Sequence, residues 1–196
     1  MSAPEDPGYA RALWLGMALN LGFGVIEVVA GFVLGSQALK ADSLDFLGDG
    51  LVSLLALVAL AWAARRRARA AMVQGVFLAL LGMGVLVQTL LDWNAPHVPE
   101  GGLILGFGIA ALAVNLASAL LLLPYRKGDA NAEAVWLFAR NDAIGNAAVV
   151  LAALLVIWTG AAWPDRVVAL ALAGLFLQSA YAILRDARAD LARAAK

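Results

Sequence analysis

The chain is 196 residues long, 63% hydrophobic and only 14% charged, with a mean hydropathy of +0.85, whereas ordinary soluble domains are nearer half apolar and a quarter charged. A water-soluble core of this length cannot hide so much apolar surface, which excludes the soluble classes. Acidic and basic residues balance at 14 each, so no field points to nucleic acid, and the absence of cysteine excludes disulfides, thiolate metal ligands and thiol nucleophiles.

In chain order, the polar Ser-Ala-Pro-Glu-Asp-Pro start is followed by an apolar run too long for a removable signal peptide. About 20 apolar residues span a bilayer, and six such runs can be drawn at about 11–35, 38–63, 70–91, 102–123, 132–158 and 164–184. The expected fold is therefore all-α: a bundle of six transmembrane helices over residues 11–184, with short tails at 1–10 and 185–196. Gly35-Ser36, the Arg65–Arg69 run, the Asn94–Gly102 stretch with two prolines, Pro124–Ala130 and Gly160–Pro164 mark the breaks.

Lysine and arginine set the orientation. Arg11, Arg65, Arg66, Arg67, Arg69, Arg126, Lys127, Arg185, Arg188, Arg193 and Lys196 fall on one side of the membrane, and only Lys40 and Arg166 on the other, so the positive-inside rule places both termini in the cytoplasm. Trp14, Trp62, Trp93, Trp136, Trp158 and Trp163 lie near span ends, as an interfacial belt requires.

The first span carries Asn20, Gly24, Glu27 and Gly31 on one stripe. The glycines suit close helix packing, while Asn20 and Glu27 either act as polar glue or line a wet cavity that couples ions to transport. The second span is the informative one, because Asp42, Asp45 and Asp49 fall within roughly 60° of one another on a helix turning 100° per residue. An intramembrane charge costs at least about 2.5–3.5 kcal/mol, so three acids on one face call for a partner: water, protons, arginine or metal.

The third and sixth spans, almost free of charge, read as scaffold or lipid-facing. Asn115 and Ser118 in the fourth are one turn apart and suit an interhelical hydrogen bond. In the fifth span Asp142 shares a face with Asn146, and Arg140 points about 200° away from Asp142. Helices two and five run in opposite directions, which brings Asp45, Asp49 and Asp142 to one level near the bilayer midplane. A cation held there by carboxylate and amide oxygens, and displaced by protons, would give a coupled cycle; a proton-sharing cluster that only fixes packing is the other reading.

An Asn in the first span followed by Gly35-Ser36-Gln37-Ala38-Leu39-Lys40-Ala41-Asp42-Ser43-Leu44-Asp45-Phe46-Leu47-Gly48-Asp49 resembles the first two helices of the cation diffusion facilitator (cation efflux) family. The resemblance implies six helices, cytoplasmic termini in a bacterial inner membrane, homodimers, and a midplane site where a divalent transition metal is exchanged for protons by alternating access. It implies a secondary transporter rather than an enzyme, with the metal as substrate, no cofactor, and the bilayer and protons as partners. By position the metal ligands are Asp45, Asp49 and Asp142.

Two features depart from the family pattern. The residue four before Asp142 is Phe138, which cannot coordinate, so Asn146, or less directly Asn141, Asp42 or water, would complete the shell. The sequence also stops about a dozen residues after the sixth span, where most family members continue into a cytoplasmic domain; a short member is expected. His97, the only histidine, reads as a solvated residue of an external loop. An oxygen-only shell tolerates Mn²⁺ or Co²⁺, while the resemblance favours Zn²⁺ or Cd²⁺; Mg²⁺ and Ca²⁺ want six or more ligands. An intramembrane aspartyl protease is excluded by Phe46 two residues before Gly48, where its Gly-x-Gly-Asp motif needs glycine. A proton- or sodium-linked carrier of another cation and a non-transporting scaffold remain as alternatives.

Overall fold

A computed structural model describes residues 7–58, 62–125 and 130–193, with the backbone alone for 130–141 and for 7, 9, 10, 13, 52, 53, 56–58, 64, 122 and 125. The described residues form six helices: α1 (Pro7–Leu34), α2 (Gln37–Val58), α3 (Ala64–Leu91), α4 (Gly101–Leu122), α5 (Ala130–Thr159) and α6 (Trp163–Arg193). Single turns of 3₁₀ helix over Asp92–Asn94 and Leu123–Tyr125 finish α3 and α4, and no strand occurs among the described residues.

Each expected span has its helix, and α3 and α6 run furthest beyond their span. The Arg65–Arg69 run, expected as a break, forms the first turns of α3 after an extended Ala63 at φ −59°, ψ 146°. Arginine and alanine are among the best helix formers, so nothing in this run stops a helix. At the other end α6 passes the expected boundary at residue 184 and continues to Arg193, where Arg193 meets Asp190 at 2.6 Å on the exposed face.

The two sharpest reversals depend on glycine. Gly35 after α1 and Gly160 after α5 adopt φ of +66° and +62°, the left-handed conformation that ends a helix and that other residues enter at a cost. At Gly35 a Cβ would also come within 2.6 Å of His97 Nε2. The α3–α4 connection is thus folded onto the α1–α2 turn.

Three helix pairs pack most extensively, α1 with α2, α4 with α5 and α3 with α6, and α2 also meets α6, α3 and α5. The interior is built from small residues. Ala30, Ala38, Leu39, Ile104, Val149 and Ala153 form one core joining α1, α2, α4 and α5. Leu44, Leu78, Phe176 and Ala180 form a second core between α2, α3 and α6. Gly24 and Gly31, expected to serve packing, do so: their Cβ positions would meet Phe46 at 3.0 Å and the Lys40 backbone nitrogen at 2.9 Å.

Larger apolar side chains face outward, including Val25, Val29, Phe32 and Val33 on α1 and Val73, Phe77, Leu80 and Leu91 on α3. This distribution, small inside and large outside, suits lipid rather than water. Five of the helices among the described residues are long and apolar enough to cross a membrane; α2, with its acids, is not one of them.

Candidate functional site

The acids of α2 and α5 meet in a consistent antiparallel register. Asn146 pairs with Asp42, and one turn earlier on α5 the Asp142 carboxyl lies within hydrogen-bonding reach of Asp45 and Asp49, which are further along α2. As one helix advances the other retreats by a similar number of residues. Each side chain therefore has its partner set by helix direction.

The structure divides the acidic face in two. Asp42 is 1% exposed and looks inward, whereas Asp45, Asp49 and Asp142 are only partly buried. Asp42 accepts a 2.7 Å hydrogen bond from Asn146 Nδ2, and Asn146 Oδ1 accepts another, also 2.7 Å, from Asn115 Nδ2. On its other side Asp42 lies against Glu27, carboxyl to carboxyl. A polar chain thus crosses four helices in the order Glu27 (α1), Asp42 (α2), Asn146 (α5), Asn115 (α4). Neither oxygen of the fully buried Glu27 has a hydrogen-bond donor among the described residues, so the Glu27–Asp42 contact can become a hydrogen bond only around a shared proton.

The same chemistry holds at Asp45, Asp49 and Asp142. Ionised carboxylates only accept, and Asp142 within reach of both Asp45 and Asp49 requires protons or a cation between the paired groups. Among the described residues no three acidic or histidine side chains converge closely enough to hold a metal ion, so these carboxylates are neighbours and not yet a coordination shell.

The other residues singled out in the sequence are placed as follows. Asn20 keeps Oδ1 buried without a hydrogen-bond partner among the described residues, and so does Ser118 with its Oγ. Of Asn115 and Ser118, Asn115 alone makes the expected interhelical bond among the described residues. His97 Nε2 donates to the Leu34 carbonyl at 3.1 Å, fastening the loop to the end of α1. The side chains of Phe138, Arg140 and Asn141 lie outside the described residues.

A second polar network escaped the sequence reading. Ser36 Oγ donates to Asp165 Oδ1 at 2.5 Å, the Gln37 and Ala38 amides donate to the same carboxylate at 2.8 and 3.2 Å, and the Leu39 amide donates to Ser36 Oγ at 3.1 Å. Gln37 Nε2 donates to Asp92 at 2.8 Å. Arg166 donates to the carbonyls of Trp93, of Ala95 at 2.8 Å and of His97 at 3.2 Å. The signal for it was a serine after a helix-ending glycine and an acid in a first helical turn, both helix-capping signatures.

A multi-helix membrane bundle with facing acids in two antiparallel helices has the build of an ion carrier. The family model described as the cation efflux transmembrane domain matches residues 13–192, and the chain belongs to that family. Among curated proteins it is similar to the zinc transporter ZitB of Escherichia coli (strain K12), 30% identical over 96% of this chain and 64% of that one. It is also similar to a cadmium, cobalt and zinc/H(+)-K(+) antiporter of Bacillus velezensis, 26% identical over 90% and 61%. A third relative is the metal cation efflux system protein CzcD of Cupriavidus metallidurans, 29% identical over 87% and 57%. The chain therefore spans about three fifths of the length of these relatives. With its apolar helices and bacterial relatives, it is a multi-pass bacterial membrane protein.

Proposed function

We propose that this protein exports divalent transition-metal cations in exchange for protons, by alternating access to a site formed by Asp45, Asp49 and Asp142. The observation that carries this reading is the meeting of Asp142 from α5 with both acids of α2 inside the bundle. Carboxyl groups so placed either share protons or hold a cation, and replacement of one by the other is the exchange. The names of the relatives, which include zinc, cadmium, cobalt and H(+), support a transition metal as cargo. Zn²⁺ or Cd²⁺ fits best, with Mn²⁺ or Co²⁺ admitted by oxygen ligands.

In this proposal Asn146 is a positioning residue beside the site rather than a ligand. Its amide is occupied by Asp42 and its carbonyl by Asn115, so it holds α5 against α2 and α4 beside the site. The metal shell is then three carboxylates completed by water. With both termini cytoplasmic, the cargo leaves toward the end that carries the α1–α2, α3–α4 and α5–α6 connections.

The test is metal-dependent proton flux in proteoliposomes, alongside isothermal titration in buffers of different ionisation enthalpy. Zn²⁺ is expected to drive proton movement and to release protons on binding near neutral pH. Asp45→Ala, Asp49→Ala and Asp142→Ala are each expected to abolish the flux while the protein still inserts. A sodium carrier or a scaffold shows no such flux, and near-normal uptake by one variant removes that residue from the site.

A further inference from the structure

The end of the bundle that carries the α1–α2, α3–α4 and α5–α6 connections is tied shut by buried polar groups. Asp165 is 1% exposed, and its two oxygens receive the Ser36 hydroxyl and the first two amides of α2. It is a carboxylate at the positive end of α2 supplied by another helix, separated by 129 residues from the serine it binds. Arg166, the next residue, straps the α3–α4 connection through three carbonyls, and Gln37 reaches Asp92 at the start of that connection. His97 then joins the connection to the last carbonyl of α1.

The α1–α2 turn, the α3–α4 connection and the first turn of α6 are bonded to one another at this end. At the opposite end, the side-chain ion pairs among the described residues stay within α6, Arg185 with Asp186 and Arg193 with Asp190, both exposed. Position along α2 gives the clasp its leverage. At 1.5 Å per residue, Asp42 lies only about 9 Å beyond Ser36 and Asp45 about 13 Å beyond it. Ala38 and Leu39 are fully buried, and Ala41 is 1% exposed, in the turn between clasp and carboxylates. The helix that Asp165 pins is the helix that carries the acids.

We propose that the Asp165–Ser36 clasp, with the Arg166 strap beside it, is the gate at this end of the bundle: closed as seen here, and broken when the carboxylates open to that side. Packing alone would close this end without polar bonds. Bonds that can be exchanged for water give two discrete states separated by a breakable contact. The proposal rests on reading the bundle as an alternating-access carrier.

The native chain has no cysteine, so a single reporter thiol is available. Ala41→Cys reports the space beneath the clasp, and Ala187→Cys, at a buried position near the far end of α6, reports general loosening. The full chain is placed in lipid nanodiscs and labelled with a membrane-impermeant maleimide without added metal. Asp165→Asn is expected to raise the labelling rate at the Ala41→Cys reporter roughly tenfold or more, as when one or two charge-assisted hydrogen bonds are lost from the closed state alone, and to leave the Ala187→Cys reporter unchanged. Ser36→Ala, which removes one donor and risks folding less, is expected to give a smaller rise of the same selectivity. An unchanged rate in both variants overturns the gate, and an equal rise at both reporters makes the clasp a staple of the whole bundle. Labelling is read without transport, so a failed cargo assignment and a failed gate give separate results.

Discussion

Replacing Asn146 with leucine keeps much of the volume and removes both bonds that this side chain makes. Asp42 then loses its 2.7 Å donor, and the Asn115 amide loses its acceptor. Side-chain hydrogen bonds between membrane helices contribute on average about 0.6 kcal/mol and at most about 1.7, so the two together are worth about 1–3 kcal/mol. The upper part of that range applies, because Asp42 and Asn115 are buried and keep groups with no replacement partner. Asn115→Leu removes one of the same bonds and is expected to cost about half as much. Reversible unfolding in mixed micelles measures both, and the double variant is expected to fall short of the sum by about 0.6–1.7 kcal/mol, the shared bond. Costs that add to within about 0.5 kcal/mol would refute the relay. Zinc binding supplies a second readout. If Asn146 positions the helices, both variants weaken binding in part; if Asn146→Leu abolishes it and Asn115→Leu leaves it intact, Asn146 is a ligand and the relay is not its role.

Gly31→Ala is expected to destabilise by about 1–3 kcal/mol, because its Cβ would press on the backbone nitrogen of Lys40 at 2.9 Å, while Gly22→Ala, with nothing within 4 Å, serves as the near-neutral control in the same unfolding assay. Asp49→Cys combined with Asp142→Cys is expected to crosslink with a short bifunctional reagent, and failure here and at neighbouring α2–α5 pairs would contradict the register. Phe138→His adds an imidazole one turn before Asp142, so competition binding is expected to show zinc gaining on manganese and losing that gain as pH falls from about 7 to 6, through the ordinary histidine pKa near 6.5. An unchanged zinc-to-manganese ratio in a folded variant means position 138 does not face the cation.

Hydropathy alone carried the six helices, since each apolar run is of bilayer length and is bounded by charge or by turn residues. It misplaced the Arg65–Arg69 run because charge marks where a membrane ends, whereas a helix ends only where propensity or capping changes. The acids were legible for the same energetic reason, as was the likeness of level between α2 and α5. Their division into an inward Asp42 and a separate group of Asp45, Asp49 and Asp142 was not. A window of 60° on one helix cannot say which neighbours stand on its two flanks, and that depends on α1 and α5 arriving from distant parts of the chain. Asn146 illustrates the limit: both of its polar atoms are bonded to residues that periodicity does not locate. The Ser36–Asp165 bond was hidden by sheer separation, although each half had a capping signature of its own.

The composition of α2 bears on how the protein enters the bilayer. Its ten leucine, valine and phenylalanine residues recover about 3–6 kcal/mol on insertion, while Asp45 and Asp49 near its centre cost about 5–7 and Asp42, nearer its start, adds to that. Left alone in lipid, this helix does not stay. Its neighbour α1 is apolar, precedes it by a two-residue turn, and fits it through Gly24, Gly31 and Gly50, whose Cβ positions would collide with the facing helix. Crossing as a hairpin lets α1 shelter one side of the acids from lipid before α5 arrives. Asp142 and Asn146 lie about a hundred residues downstream, so the polar face of α2 is completed only after α5 has been synthesised.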